Sequence, residues 1–230
     1  MDAKIARGDY DSYLTTWAKA AKAWGHPFFL RFAWEMNGSW FPWGVGGSGI
    51  AAGNTPSSYV AMWRHVYTLF QHAGATNVTW VWCPNVTANS TYHPLSALYP
   101  GNRYVNWTCI DGYNGDNPWR SFGSIYGDTY ASVMSVAPRK PMLVGEVSST
   151  EAGGSKAAWI NSMFATLPSL FPNIRGVLWY EANAPGPGGH RDWTVDSSPS
   201  SLRALRAGLK SPLYRSNTYS GAHIAPIPAP

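Results

Sequence analysis

Apolar positions along the chain follow two patterns that alternate. Tyr13, Leu14, Trp17, Ala20, Ala21 and Trp24 fall three and four residues apart, which predicts a helix over 10–24, stopped by Gly25. The run PFFLRFA at 27–33 is continuously apolar and short, the signature of a buried strand. Helical spacing returns over 56–73, opened by Pro56 behind Asn54 and Thr55 and closed by Gly74. VTWVWC at 78–83 is β-branched and aromatic, hence a second strand. The order then repeats: a helical turn at 94–98, a strand at 105–110, a helix at 126–136, a strand at 141–145, a helix at 155–167 ended near Pro168, a strand at 174–180 and a helix at 200–208.

Strands separated by helices imply parallel βαβ units, so the fold is α/β. Five such strands fit a doubly wound sheet or part of a (β/α)₈ barrel. No Gly-x-Gly-x-x-Gly turn follows a strand, which removes support for a dinucleotide site. Residues 45–49 (VGGSG) lack the Lys-Ser/Thr of a phosphate loop and read as a flexible loop. The pattern divides into one domain over 1–210 and a Pro-containing tail over 211–230 that reads as an irregular extension.

Composition narrows the ligand. The 230 residues hold 17 Lys+Arg against 12 Asp+Glu, but only 13% are charged while 15% are aromatic, including 13 Trp. Disorder and coiled coil are both disfavoured by this mix. No apolar run reaches membrane-spanning length, so no membrane partner is expected. Many Trp and few charges suit a neutral ligand with a flat apolar face, such as a sugar ring. Arg203, Arg206, Lys210 and Arg215 read as one solvated helix face, so no nucleic-acid partner is expected. Cys83 and Cys109 are either two buried thiols or a single bridge between neighbouring strands. No His/Asp/Cys cluster suggests a metal, and no cofactor is expected. The first residues, MDAKIARGDYD, are polar and charged, with no signal peptide visible in them.

The chain has only four glutamates, and Glu35, Glu146 and Glu181 each end a predicted strand. Parallel α/β folds bind ligands at those ends. A carboxyl group in an aromatic mouth is partly desolvated, which raises its pKa toward general-acid use. Two such carboxyls around a neutral sugar are what glycosidic cleavage requires: one protonates the leaving oxygen, the other attacks the anomeric carbon or activates water. Glu181 reads as structural. Asp192 and Asp196 lie in the loop after the fifth strand and read as solvated or as distal sugar contacts.

The segment LRFAWEMNGSWFPWG at 30–44 closely resembles the acid/base segment of glycoside hydrolase family 26, which contains β-mannanases with β-glucanases and β-1,3-xylanases among their relatives. IDGYNG at 110–115, VGE at 144–146 and VLWYE at 177–181 extend the resemblance in the right order. The resemblance implies a (β/α)₈ barrel of the TIM type, with Glu35 as acid/base and Glu146 as nucleophile of a retaining hydrolase. It implies Tyr113 as a hydrogen-bond partner of the nucleophile, and Trp40 and Trp179 as walls of the sugar site. Arg31 and Asn37 match supporting positions; Trp43, and with it Trp82, either extends the sugar platform or packs in the core. The implied substrate is a polysaccharide or oligosaccharide, most closely β-1,4-mannan. A β-glucanase or xylanase of the same barrel type, or a non-catalytic carbohydrate-binding remnant, are the alternatives. The family implies a secreted parent protein, and a monomer if the barrel is complete.

Two departures stand out. Many members carry His immediately before the acid/base, where this chain has Trp34, a change that bears on substrate preference. The motif of the fourth barrel strand also arrives at residue 35, although a full barrel needs about 250 residues. The resemblance therefore implies an N-terminally truncated barrel of about five parallel strands, lacking on the order of 80 residues. An open sheet of that kind should expose apolar surface and be poorly soluble.

Overall fold

The helix and strand patterns become a single parallel sheet with helices on one face. The computed structural model describes residues 1–87, 93–115, 117–186, 189–215 and 225–229. In chain order its elements are α1 (Asp2–Ala6), α2 (Asp11–Trp24), β1 (Phe28–Leu30), α3 (Gly47–Ala51), α4 (Pro56–His72) and β2 (Val78–Trp82). A 3₁₀ turn at Leu95–Ala97 precedes β3 (Trp107–Asn114), α5 (Phe122–Val136), β4 (Met142–Ser149), α6 (Lys156–Leu170) and β5 (Ile174–Trp179). A hairpin of β6 (Asn183–Gly186) and β7 (Gly189–Asp192) leads to α7 (Pro199–Gly208) and α8 (Pro212–Arg215).

Local chemistry sets the helix ends. Gly25 takes the left-handed conformation that ends α2. Thr55 and Ser58 form a reciprocal capping box ahead of α4, with Pro56 at the first helical position, and Ser198 and Ser201 do the same for α7.

The sheet order is β1-β2-β3-β4-β5, every pair parallel, as helical crossovers require. Alternate residues of the strands face opposite ways. Trp80, Trp82, Ile110, Val144 and Val147 pack with Trp63, Phe70, Tyr126, Ile160 and Met163 of the helices in the main core. Val81, Cys83, Trp107, Cys109 and Leu143 form a second cluster on the other face, the inner face of a barrel wall. Cys83, just past the end of β2, and Cys109 on β3 sit side by side and are joined as a disulfide, so the bridge and not the pair of free thiols is the correct reading.

The five-strand expectation holds, and β1 and β5 are the edges. Apolar side chains are exposed beside them: Tyr13 (65%) and Trp24 (58%) on α2, and Leu178 (52%) on β5. An apolar groove of about 570 Å³ runs between α2, β1 and α4, lined by Tyr13, Trp17, Leu30, Phe32, Trp34 and Met62. Arg203 and Arg206 are exposed on α7, as their spacing implied. No helix among the described residues is long and apolar enough to cross a membrane.

Several predicted boundaries shift. The first strand spans only Phe28–Leu30, because the chain turns at Arg31. The glycine-rich loop contains α3, closed against the preceding segment by Ser48 N–H donating to the Ser39 carbonyl. Pro168 does not end α6: it lies in the last turn, where only one backbone bond is lost and the helix runs on to Leu170. In the tail, α8 forms and Ile227 is buried, its N–H donating to Thr79 Oγ1 at 2.8 Å and its carbonyl accepting from Trp107 Nε1 at 2.6 Å. Those two partners lie on β2 and β3, so this part of the tail is not a free extension; residues 216–224 lie outside the described residues.

Candidate active site

The end of β4 carries an irregularity that aims Glu146. Val144 and Val147 both pack in the helix-facing core although they are three positions apart, which strict alternation forbids. The register of β4 shifts between them, and Asp111 pairs with Glu146 after a matching shift on β3. The extra residue of this bulge lets Gly145 and Glu146 both serve the inner face. Gly145 has no alternative there, because a Cβ would lie 2.7 Å from Arg31 Nη1 and 2.8 Å from Asp111 Oδ1.

Around Glu146 three groups converge. Arg31 Nη2 donates to Glu146 Oε1 at 2.5 Å, and its Nη1 donates to Asp111 Oδ1 at 3.1 Å. Tyr113 donates its hydroxyl proton to Glu146 Oε2. Tyr126, buried behind them, donates to the carbonyls of Gly112 and Glu146. The disulfide lies directly below, with Cys83 Sγ 3.2 Å from Asp111 Oδ1.

Glu35 is held by different means. Ala33 and Glu35 adopt positive φ values of 44° and 53°, a left-handed backbone that non-glycine residues seldom occupy outside functional sites. The Glu35 N–H donates to the Cys83 carbonyl at 2.6 Å, which anchors this turn to the end of β2. Its side chain accepts at Oε1 from Asn85 Nδ2 and at Oε2 from Trp40 Nε1, both at 2.7 Å. Asn37 fixes Asn85 in turn, donating to its carbonyl and accepting from its N–H. Gly38 allows the Trp40 indole to fold back, since a Cβ would come within 2.6 Å of the ring.

The two halves meet. One carboxylate oxygen each from Glu35, Asp111 and Glu146 lie within 4.8 Å of one another. That geometry could hold a cation, and the Arg31 guanidinium already places a positive charge between two of the three. Burial pushes the Glu35 carboxyl above the usual carboxylate range; the Asn85 and Trp40 donors pull it back, and Glu146 adds to the rise. Burial raises Asp111 further, against the pull of Arg31. Burial and then Glu146 also raise the Tyr113 phenol, which keeps its proton on the bond to Glu146. Burial opposes the charge on Arg31, and Asp111 and Glu146 outweigh it, so its pKa rises.

Of the other residues singled out in the sequence, Trp34 is half-buried under Arg31, which lies 5.5 Å from its ring. Trp43 stacks on Phe41 and donates its Nε1–H to the Trp34 carbonyl. Trp40 remains 43% exposed, with its ring available beside Glu35. Trp82 is fully buried in the helix-facing core, which settles its place. Trp179 turns toward Trp159 of α6 and donates its Nε1–H to the Trp193 carbonyl, away from the carboxylate cluster. Glu181 is structural: its Oε2 accepts from the Val195 N–H. Asp192 accepts from the Thr194 N–H and hydroxyl.

Asn85 and Trp193 escaped the sequence reading, and Tyr180 entered it only as part of VLWYE, with no role. Asn85 lies three residues past the end of β2, a strand end like those of the glutamates, but an uncharged amide in a loop carries no signal of its own. Tyr180 and Trp193 both contact the Tyr113 ring, at 5.3 and 5.2 Å. Trp193 follows a hairpin with no apolar pattern, and its Asp-Trp-Thr context gave no distinguishing signal.

A family model described as glycosyl hydrolase family 26 matches residues 3–172. The chain belongs to this family. A similar curated protein is Endoglucanase H of Acetivibrio thermocellus, 35% identical over 214 residues, covering 89% of this chain and 22% of that protein. A mannan endo-1,4-beta-mannosidase of Bacillus subtilis is 31% identical over 137 residues, 58% of this chain and 34% of that protein. Among solved structures, the Cellulomonas fimi endo-beta-1,4-mannanase double mutant superposes with a TM-score of 0.69 at 21% identity, covering 93% of this chain and 49% of that one. The catalytic domain of a Bacillus sp. JAMB-750 endo-beta-1,4-mannanase gives 0.66 at 19% identity, covering 93% and 61%. At these identities the structural matches establish the fold, and the chain spans about half the length of these family 26 structures.

Proposed function

We propose that the chain carries the catalytic carboxylates of a retaining endo-β-1,4-mannanase. The observation that supports this best is the approach of Glu35 and Glu146 oxygens within 4.8 Å, matching the short separation of retaining enzymes and not the roughly 6.5 Å or more of inverting ones. In this reading Glu146 attacks the anomeric carbon and Glu35 protonates the leaving oxygen. Attack forms the glycosyl–Glu146 bond and breaks the glycosidic bond. Glu35, now ionised, takes a proton from water, which displaces Glu146 and releases the sugar with retained configuration. Burial raises the pKa of Glu35 above the usual carboxylate range, the direction a general acid needs. Arg31 and Tyr113 hold the nucleophile oriented, Asn37 supports the acid/base through Asn85, and Trp34, Trp40 and Trp43 shape the aromatic surround, whereas Trp179, matched by the resemblance to a wall of the sugar site, packs toward α6. The substrate is a polysaccharide or its oligosaccharides, the active unit is a monomer, and the parent protein acts outside the cell, where a disulfide is stable.

A second reading, cleavage of a β-glucan, draws on two observations. The Endoglucanase H match is longer and more identical than the mannosidase match, and Trp34 stands where many family members have His. Hydrolysis of mannan, mixed-linkage glucan and xylan by the chain and by Glu35→Ala and Glu146→Ala separates these readings. Mannan should be cut fastest, with each variant losing on the order of 10³-fold in kcat. Fastest release from mixed-linkage glucan transfers the assignment to a glucanase. Retained sugar binding without turnover, equal in all three proteins, makes the chain a carbohydrate-binding remnant.

A further inference from the structure

Lys156 is fully buried at the first position of α6, an unexpected place for a cation. Burial disfavours its charge and lowers its pKa, and the helix N-terminus repels positive charge. Its ammonium uses all three protons on one loop: the carbonyls of Asp192 at 3.1 Å and Thr194 at 2.8 Å, and Ser197 Oγ at 2.7 Å. Between the first two acceptors lies Trp193. The backbone of Trp193 is pinned again by its own N–H donating to the Ala182 carbonyl. Its carbonyl accepts from Ser148 Oγ at 2.6 Å and Trp179 Nε1 at 2.8 Å. So dense a set of restraints fixes one thing at the site, the indole. That ring lies 5.2 Å from Tyr113, on which Tyr180 also packs edge-on, and Tyr113 donates to Glu146.

We infer that Trp193 is a positioning residue for Glu146, acting through Tyr113, and that Lys156 is the post that holds Trp193 in place. The inference rests on the reading of Glu146 as nucleophile for its consequence in catalysis, but its geometric content can be tested without turnover. Aromatic packing on the Tyr113 ring restricts the rotation that would break the phenol–carboxylate bond. Lys156 acts one step further away, by fixing the loop.

The chain contains four glutamates, so uniform ¹³C labelling of Glu gives four side-chain carboxyl signals, assignable by substitution. The Glu146 signal should move in Trp193→Ala in the same direction as in Tyr113→Phe. The double variant should match Tyr113→Phe alone, the non-additivity expected of groups acting in series. Trp193→Phe should restore most of the original position. Lys156→Met should move the signal less than Trp193→Ala, with the Glu35 signal unchanged. On a cleaved substrate, Trp193→Ala should lower kcat on the order of tenfold with little change in KM. A Glu146 signal that stays put in both Trp193→Ala and Lys156→Met, or shifts that add in the double variant, overturns the inference. Should Trp193→Ala fail to fold, Trp193→Phe and Lys156→Met carry the same comparison. Absence of hydrolysis in the unsubstituted chain would defeat the enzyme reading and leave the carboxyl signals to decide this one.

Discussion

Glu146 and Glu35 face each other, yet the molecule secures them in opposite ways. Glu146 belongs to β4, with a hydrogen-bonded neighbour on each side, and a bulge in that ladder turns it inward. Glu35 follows β1, an edge strand three residues long, and depends on a left-handed turn and two side-chain donors. Central placement makes a carboxylate a property of the sheet. Edge placement makes it a property of a small polar network, which single substitutions can dismantle.

The largest effect should come from removing what the central half depends on. Gly145→Ala forces a methyl group against Arg31 and Asp111, so both the bulge and the Arg31–Glu146 pair must shift. Destabilisation of about 1–3 kcal/mol and loss of on the order of 100-fold or more in kcat/KM are expected, measurable by denaturant titration and steady-state rates. A variant of normal activity would mean that the bulge does not aim Glu146.

Asn85→Ala breaks the edge half. It removes a hydrogen bond to an ionisable carboxyl, worth about 1.5–3 kcal/mol, while Asn37 keeps its two bonds to the backbone of residue 85. A loss of about 10–100-fold in kcat should follow, with a fall of several degrees in melting temperature at most. Equal loss of stability and activity would show that Asn85 is structural.

The edge half also contains a pH-dependent element. Asp2 of α1 is fully buried, neither oxygen has a hydrogen-bond partner among the described residues, and burial raises its pKa from 3.8 to about 7. A raised carboxyl pKa means that the folded state binds more protons than the unfolded chain between those values, so stability falls as pH rises through that window. Stability should decline from pH 4 to pH 7 by roughly 3 kcal/mol, and Asp2→Asn should flatten this part of the profile. The same slope in both proteins assigns it elsewhere.

The smallest effect is on the ionisation of the general acid. Trp40→Phe removes a donor that favours ionised Glu35, so the Glu35 pKa should rise and the alkaline limb of kcat/KM should move to higher pH. Movement to lower pH would contradict the assigned donor role.

How much of this was legible in the sequence follows the same division. The central strands announced themselves, because VTWVWC and PMLVG are short continuous apolar runs, the mark of strands buried on both faces. The order of helices and strands and the pair Glu35–Glu146 were readable for that reason. The bulge was not: alternation is counted on the assumption of regular pleating, and an inserted residue leaves no mark on composition. Nor were α1 and α3, since five-residue helices carry too few turns to show a period. At the edge, the strand read as 27–33 stops at Leu30, because the chain enters the turn that holds Ala33 and Glu35 in the left-handed conformation. Asn85 and Trp193 were hidden for a third reason: each gains its meaning only from a partner distant in sequence.

The claim on which the account turns is that Glu35 and Glu146 work at retaining distance. Proton NMR of the first anomer released from a β-mannooligosaccharide tests it most directly. The account predicts that the β-anomer appears first and the α-anomer accumulates only by mutarotation, with both absent in Glu146→Ala. Initial release of the α-anomer, or β-anomer formation undiminished in Glu146→Ala, would contradict it.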